Sequence, residues 1–227
     1  MKLLALDTAT EACSAAVWVD GTVTERYQLA PCRHTALILP MIEAVLAEAG
    51  LSPRQLDAIA FGRGPGAFTG VRIAASMAQG IAFSVDLPVV PVSTLAALAL
   101  GVGRETGQLR LAVALDARMG EVYWGTYALT AADVEALSKE RVCAPAAVTA
   151  PAGGDWFGVG SGWQVHAAIL SEQLAIQGYL GERYPRAGDV ARLAATPSRR
   201  SDWVSADLAL PVYLRNQVVA GRVASAG

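Results

Sequence analysis

The sequence predicts an α/β protein built from two lobes that share one plan. A buried strand that ends in aspartate, a short turn and a returning strand begin at Lys2 and recur from residue 109. A strand that runs into a glycine-rich turn also occurs twice, at residues 58–66 and 156–162. Such repetition is typical of a duplicated unit. We expect an N-terminal lobe at residues 1–103 and a smaller C-terminal lobe at 104–227, the last segment of which packs back on the first lobe.

The N-terminal lobe is expected to open with strands at residues 2–7, 13–19 and 22–29. A helix at 34–49 follows, and Pro40 inside it should bend the helix without ending it. This helix is apolar over more than one stripe, so we expect it to face both its own sheet and a second surface.

The centre of the chain, residues 57–83, reads as a strand, a glycine-rich turn and a helix that Thr69 caps. Two interpretations of Gly64, Pro65 and Gly66 stay open. They either form an anion cradle at the start of the helix or only shape a tight turn. A strand at 88–92, a helix at 93–100 and a linker at 101–107 complete the lobe.

The second lobe is expected to repeat the paired strands and then to form three helices around a third strand. The predicted elements are strands at 109–116, 121–127 and 156–159, helices at 133–139, 164–176 and 189–195, an ordered piece at 212–215, and a polar tail.

Composition limits the possible functions. The 227 residues are 53% hydrophobic and 17% charged with a mean hydropathy of +0.37, which predicts a permanent interface. A net charge of −2 gives no footprint for binding nucleic acid unaided. The longest uncharged run, 87–103, is broken by prolines and predicts no membrane span. Three cysteines without a CxxC pair predict neither disulfides nor zinc, which fits the cytoplasm.

The interface is expected on the two helices of the first lobe, through their apolar or small side chains. The residues predicted to form it are Leu37, Met41, Val45, Val71, Ala74, Ala75 and Ala78.

Four motifs, LALDTATEACSAAVW, FGRGPGAFTGVR, ALDARMGEVYW and PVYLRN, together resemble the bacterial TsaB (YeaZ) family. The resemblance implies the duplicated fold of the actin, sugar-kinase and heat-shock-chaperone ATPases. It also implies a role in making threonylcarbamoyladenosine beside the anticodon of tRNAs that read codons beginning with A. In that role the chain is a non-catalytic partner of TsaD, joined by TsaE in a larger assembly, and it pairs with itself in isolation. It reaches tRNA only through the complex and requires no cofactor, with ATP or ADP as a candidate at the shared interface.

The paralogue TsaD resembles this chain around its GPG turn but carries a pair of metal-binding histidines further on. Residues 92–97 of this chain contain no metal-ligating side chain. We therefore expect no metal site, no catalytic residue and no peptidase activity.

The resemblance matches Asp7, Thr8, Gly64, Gly66 and Asp116 to the phosphate-facing turns of the superfamily. The two aspartates could instead cap turns at strand ends. Trp156 and Trp163, near an adenosine-side loop, could equally be core residues. Two other functions stay open, an autonomous ATPase or small-molecule kinase and a pure interaction protein.

Overall fold

The computed structural model describes residues 1–130 and 133–215, which form two mixed sheets and five α-helices. The first sheet has the order β3-β2-β1-β4-β5, and the second has the order β8-β7-β6-β10-β11 with β9 paired to β7. The strands are β1 (Lys2–Asp7), β2 (Ala12–Val19), β3 (Thr22–Leu29), β4 (Ala58–Gly62), β5 (Val89–Val92), β6 (Arg110–Arg118), β7 (Glu121–Leu129), β8 (Val134–Ala136), β9 (Arg141–Cys143), β10 (Trp156–Val159) and β11 (Ile176–Leu180). The helices are α1 (His34–Glu48), α2 (Phe68–Val85), α3 (Thr94–Thr106), α4 (Ser161–Gln173) and α5 (Ala187–Ala194).

The predicted duplication is confirmed by the sheet topology. In each lobe the first strand, β1 or β6, pairs antiparallel with the strand that follows it and parallel with a later strand. That later strand, β4 or β10, in turn pairs parallel with the sheet's last strand. A helix follows β4 and β10 directly, so α2 and α4 are equivalent. The two lobes therefore share strand order as well as sequence pattern.

The apolar core consists of three layers, of which the second joins the lobes. One layer packs α1 and α2 against one face of the first sheet, with Leu6, Ile42 and Ala74 fully or almost fully buried. A second layer places α3 and α5 between the two sheets. A third packs α4 on the far face of the second sheet around Trp124 and Trp163. Burial of apolar side chains between layers is the main source of stability in such a fold.

The helix α5 packs on β1, β2 and β4 of the first sheet although it comes late in the sequence. The chain therefore returns to the first lobe after building the second. The division predicted at residue 103 also falls inside α3, which packs on both β6 and α5.

The predicted linker at 101–107 is wrong, because α3 continues to Thr106. Its glycines are packing positions rather than hinge positions. A Cβ on Gly101 would lie 2.5 Å from a carboxylate oxygen of Asp189, and one on Gly103 would lie 2.2 Å from the Leu129 side chain.

The helix predicted at 133–139 is also wrong, because residues 134–136 form β8 on the open edge of β7. A seven-residue helix would leave most of its backbone groups unpaired, whereas the strand edge supplies partners. The helix predicted at 164–176 ends at Gln173, and Ile176 begins the unpredicted strand β11. The predicted polar tail lies outside the described residues from residue 216 on.

None of the helices in residues 1–130 and 133–215 is long and apolar enough to cross a membrane.

Candidate functional site: the cleft between the lobes and the first-lobe helices

A cleft of about 320 Å³ lies between the lobes. The first lobe supplies residues 9–11 and 66–68, and the second supplies residues 115–119 with Tyr123 and Ser161. Residues 212–215 close one side. Clefts between lobes are common binding sites because two walls can converge on one ligand. Of the predicted phosphate-facing residues, Gly66 and Asp116 line this cleft.

The side chains of Asp7 and Thr8 do not reach the cleft, although residues 9–11 of the same turn line it. Asp7 and Thr8 have no exposed surface, so neither side chain could contact a ligand in this arrangement. The Asp7 Oδ1 atom accepts a hydrogen bond from the Ala9 amide at 3.0 Å, and Thr8 Oγ1 donates to the Gly70 carbonyl at 2.7 Å. The Asp7 Oδ2 atom is buried without a partner, and burial raises the pKa of this carboxyl to about 7.

The start of α2 is covered by the chain's own backbone. The Ala67 amide donates to the Ala9 carbonyl at 2.7 Å. A Cβ on Gly66 would lie 2.3 Å from that carbonyl oxygen, and a Cβ on Gly70 would lie 2.0 Å from the Thr8 carbonyl oxygen. The predicted Thr69 cap is wrong, because the helix begins at Phe68 after Ala67. These contacts account for the glycines as points of close backbone approach.

Gly64 is buried under residues 212–215. Its φ of 100° lies in the left-handed region that favours glycine, and a Cβ there would lie 2.9 Å from the Val212 carbonyl oxygen. Gly64 therefore serves the packing of the chain's last described segment.

The Asp116 turn uses the same local geometry and faces the cleft. Its Oδ1 atom accepts from the Arg118 amide at 3.0 Å, and its Oδ2 atom lies 3.0 Å from the Arg118 guanidinium. The Asp116 amide donates to Ser161 Oγ, which fixes the turn to the start of α4.

The charged groups of the cleft are already paired. Arg118 also bridges the lobes through Glu11 at 2.8 Å, and Arg215 bonds to Glu121. Among the described residues that line the cleft, both guanidiniums thus have carboxylate partners. A phosphate group would have to displace one of these carboxylates, which disfavours tight polyphosphate binding by this chain alone.

Most of the predicted interface residues belong to the core. Val45, Val71, Ala74, Ala75 and Ala78 are at most 3% exposed, because they pack against the first sheet. The prediction that they form an outer face is therefore wrong. Small residues there let α2 lie close to its own sheet. Leu37 and Met41 are half-buried.

The exposed face of α2 carries larger side chains. Phe68, Arg72, Ser76 and Phe83 recur at helical spacing, and Phe83 is 85% exposed. The Arg72 guanidinium lies 3.5 Å from the centre of the Phe68 ring, and its Nε donates to the Tyr213 hydroxyl at 2.8 Å. A concavity of about 390 Å³ joins this face to Thr35 on α1. The helical spacing of these four residues is also present in the sequence. The small-residue stripe of the same helix was predicted to be the interface instead.

The second lobe places Trp156 and Trp163 in its core, at most 2% exposed. The Trp163 indole N–H donates to the Ala112 carbonyl at 2.7 Å. Neither ring is available to stack on a ligand. Within the described ranges, no three His, Cys, Asp or Glu side chains cluster as a metal-ligand set.

Two lobes with one strand order and a cleft between them define the class of the actin, sugar-kinase and heat-shock-chaperone ATPase fold. The family model of TsaD, tRNA N6-adenosine threonylcarbamoyltransferase, matches residues 27–196. The Escherichia coli (strain K12) tRNA threonylcarbamoyladenosine biosynthesis protein TsaB is 41% identical over 96% of both chains. Its Haemophilus influenzae counterpart is 39% identical over 96% of this chain and 95% of its own. YeaZ from Pseudomonas aeruginosa superposes with a TM-score of 0.89 at 45% identity, over 94% of this chain and 99% of the other. The chain therefore belongs to the TsaB (YeaZ) family.

Proposed function

We propose that this chain acts in the biosynthesis of threonylcarbamoyladenosine in tRNA as a non-catalytic partner of TsaD. The observation that carries the proposal is the exposed face of α2 with its large apolar and arginine side chains. Side chains of this kind dominate binding energy at protein interfaces. Their exposure on a chain of 53% hydrophobic composition supports a surface that is covered by a partner.

The occupant of this surface is TsaD. The TsaD family model matches a range of this chain that contains both α1 and α2, so TsaD carries counterparts of these helices. Two chains that present the same patch can pair around a pseudo-twofold axis. A second copy of this chain would use the same patch, so self-pairing and pairing with TsaD compete. TsaE joins the larger assembly, and tRNA is reached through the complex.

The chain performs no chemistry of its own in this proposal. It requires no metal or cofactor, and ATP or ADP would bind at an interface completed by TsaD. The ion pairs of Arg118 and Arg215 support the proposal that nucleotide binding requires TsaD, because the cleft offers no unpaired cation among its described residues. An autonomous ATPase or kinase is not favoured for the same reason.

The test places one charge on the proposed surface and the same charge elsewhere. The test variant is Ser76→Glu, because Ser76 lies at the centre of the exposed α2 face. The control variant is Ser171→Glu, because Ser171 lies on the exposed surface of the equivalent helix α4. A carboxylate at an apolar interface must give up its water even where Arg72, four residues earlier on the same face, pairs with it, so we expect at least a ~100-fold weaker affinity of Ser76→Glu for TsaD. Ser171→Glu should behave as the unchanged chain.

Four measurements decide the outcome: circular dichroism melting, mass in solution at micromolar concentration, co-purification with TsaD, and threonylcarbamoyl transfer from threonylcarbamoyl-adenylate by TsaD. Ser76→Glu should remain folded and lose self-pairing, TsaD binding and support of transfer together. A folded Ser76→Glu chain that fails to bind TsaD but supports full transfer would show that the partner role is wrong. Full binding by both variants would show that the surface is wrong.

A further inference from the structure

Residues 203–215 cross from the first lobe to the second along one side of the cleft. We propose that this segment, here called the strap, ties the two lobes together and sets the opening of the cleft, with Arg215 as its releasable end. The inference rests on the contacts of the strap and does not depend on the proposed function.

The strap is held to the first lobe by backbone hydrogen bonds. Val204 and Val89 exchange two of them, at 2.8 and 2.9 Å, so the strap begins as an added bridge on the edge of the first sheet. Further on, the Val212 amide donates to the Arg63 carbonyl at 2.8 Å. Ala209 lies between these points with no exposed surface. Such bonds respond little to salt.

Tyr213 adds a side-chain contact to the same lobe. Its hydroxyl accepts from Arg72 on α2, and its ring centre lies 5.6 Å from that of Phe68. Tyr213 also lines the cleft, so one side chain touches both the cleft and the exposed face of α2.

The strap reaches the second lobe through one side chain. Among the described residues, every hydrogen bond and ion pair from the strap to the second lobe comes from Arg215. Its guanidinium bonds to the Glu121 carboxylate, to the Arg118 carbonyl at 3.4 Å and to Met119 Sδ at 3.5 Å. All three partners lie in or beside the turn between β6 and β7.

That turn forms the second-lobe wall of the cleft. Arg118 and Met119 both have positive φ angles, 63° and 57°, which non-glycine residues adopt rarely. Contacts from outside the turn, such as those of Arg215, stabilise this backbone conformation. Backbone bonds fix the first-lobe end of the strap, and one guanidinium fixes its second-lobe end. Release at Arg215 therefore removes the hold of the strap on the wall while the strap stays on the first lobe, and the exposed Arg118–Glu11 ion pair still links the wall to the first lobe.

Hydrogen exchange of the whole chain tests the proposal. Arg215→Met keeps the length of the side chain and removes its charge. We expect amides of residues 117–121 to exchange at least ~10-fold faster than in the unchanged chain, because local opening no longer breaks the Arg215 contacts. Amides of Val204 and Val212 should keep their rates. Arg26→Met, which breaks the Arg26–Glu48 ion pair inside the first lobe, is the control and should leave residues 117–121 unchanged.

A charge swap provides the rescue. Arg215→Glu alone should open the turn further, since it faces Glu121, and Arg215→Glu combined with Glu121→Arg should restore slow exchange. Equal rates in Arg215→Met and Arg26→Met would overturn the proposal. Faster exchange at Val204 and Val212 in Arg215→Met would also overturn the proposal. It would show that the attachment of the strap to the first lobe is lost together with its attachment to the second lobe. Failure of the swap to slow the turn would show that the ion pair does not hold it.

Discussion

Asp7 and Asp116 occupy equivalent places in the two lobes, and their surroundings differ. Each lies at or near the end of the first strand of its lobe and accepts a hydrogen bond from the amide two residues later, at 3.0 Å in both cases. The second oxygen of Asp7 is buried without a partner, whereas that of Asp116 meets Arg118 at the cleft. The Asp7 carboxyl is buried in the core, whereas the Asp116 carboxyl lies at the cleft.

The difference shows how a duplicated fold divides its tasks. In the first lobe, glycines at 66 and 70 let the backbone of Thr8 and Ala9 pack directly on the start of α2. In the second lobe, the Asp116 turn remains open and is held by ion pairs. The shared backbone pattern is therefore compatible with a structural role on one side and a binding surface on the other.

The largest expected effect on stability comes from adding a side chain at Gly70, where α2 packs on the backbone of Thr8. Gly70→Ala would place a Cβ 2.0 Å from the Thr8 carbonyl, so backbone must move, and we expect a loss of about 4 kcal/mol or more in the free energy of unfolding. Gly80→Ala in the same helix meets no atom within 4 Å and should stabilise by up to ~1 kcal/mol. Urea denaturation compares the two. Equal stabilities would show that the Asp7 turn is not packed on α2.

The next effect depends on pH. The pKa of Asp7 in the folded chain is about 7, above its ordinary value of 3.8, because burial disfavours the charged form. Between these values the folded chain keeps a proton that the unfolded chain has lost. The stability contributed by the neutral carboxyl is full below pH 4 and is lost as the pH rises to 7.

Asp7→Asn should therefore match the unchanged chain near pH 4 and exceed its stability by up to roughly 4 kcal/mol above pH 7, since three pKa units correspond to that energy. Asp116→Asn, which removes the carboxylate at the equivalent turn beside Arg118, is the control. Melting temperatures from pH 4 to 8 measure both. A constant difference between Asp7→Asn and the unchanged chain across this range would contradict the buried state of Asp7.

Sequence reasoning predicted the duplication because the strand and aspartate pattern is local. It could not predict which lobe receives α5, since that is decided by packing against β1, β2 and β4, far away in the chain. The α2 stripe shows a second limit. Ala74 and Ala78 are small whether they face a sheet or a partner, so composition cannot separate core from interface. The ion pair between Arg118 of the Asp116 turn and Glu11 joins residues that only the folded chain brings together.

A smaller effect is expected from Trp163 on α4, which packs in the core of the second lobe. The Trp163 ring packs there and its N–H donates to the Ala112 carbonyl. Trp163→Phe removes that donor and part of the ring, and we expect a loss of about 1 to 3 kcal/mol. Trp203→Phe, at a half-buried ring, is the control for the same change of side chain, because the buried Trp203 Nε1 has no partner among the described residues and loses no bond. If the two variants lose equal stability, the Ala112 contact contributes nothing specific.

The smallest effect lies in the ion pair that joins the two turns across the cleft. The Arg118 side chain is 73% exposed, so its bond to Glu11 is strongly screened, and a double-mutant cycle of Arg118→Met and Glu11→Gln should give a coupling energy of about 0.2 to 1 kcal/mol. Raising the salt concentration to about 1 M should remove most of this coupling, because the screening length falls to roughly 3 Å. The Arg215 side chain is only 19% exposed, while Glu121 at 36% is about as exposed as Glu11 at 34%, so the more buried arginine should let the Arg215–Glu121 cycle keep more of its coupling in salt. Equal salt sensitivity of the two cycles would mean that the Arg215–Glu121 ion pair links the strap to the second lobe no more strongly than the Arg118–Glu11 ion pair links the two lobes.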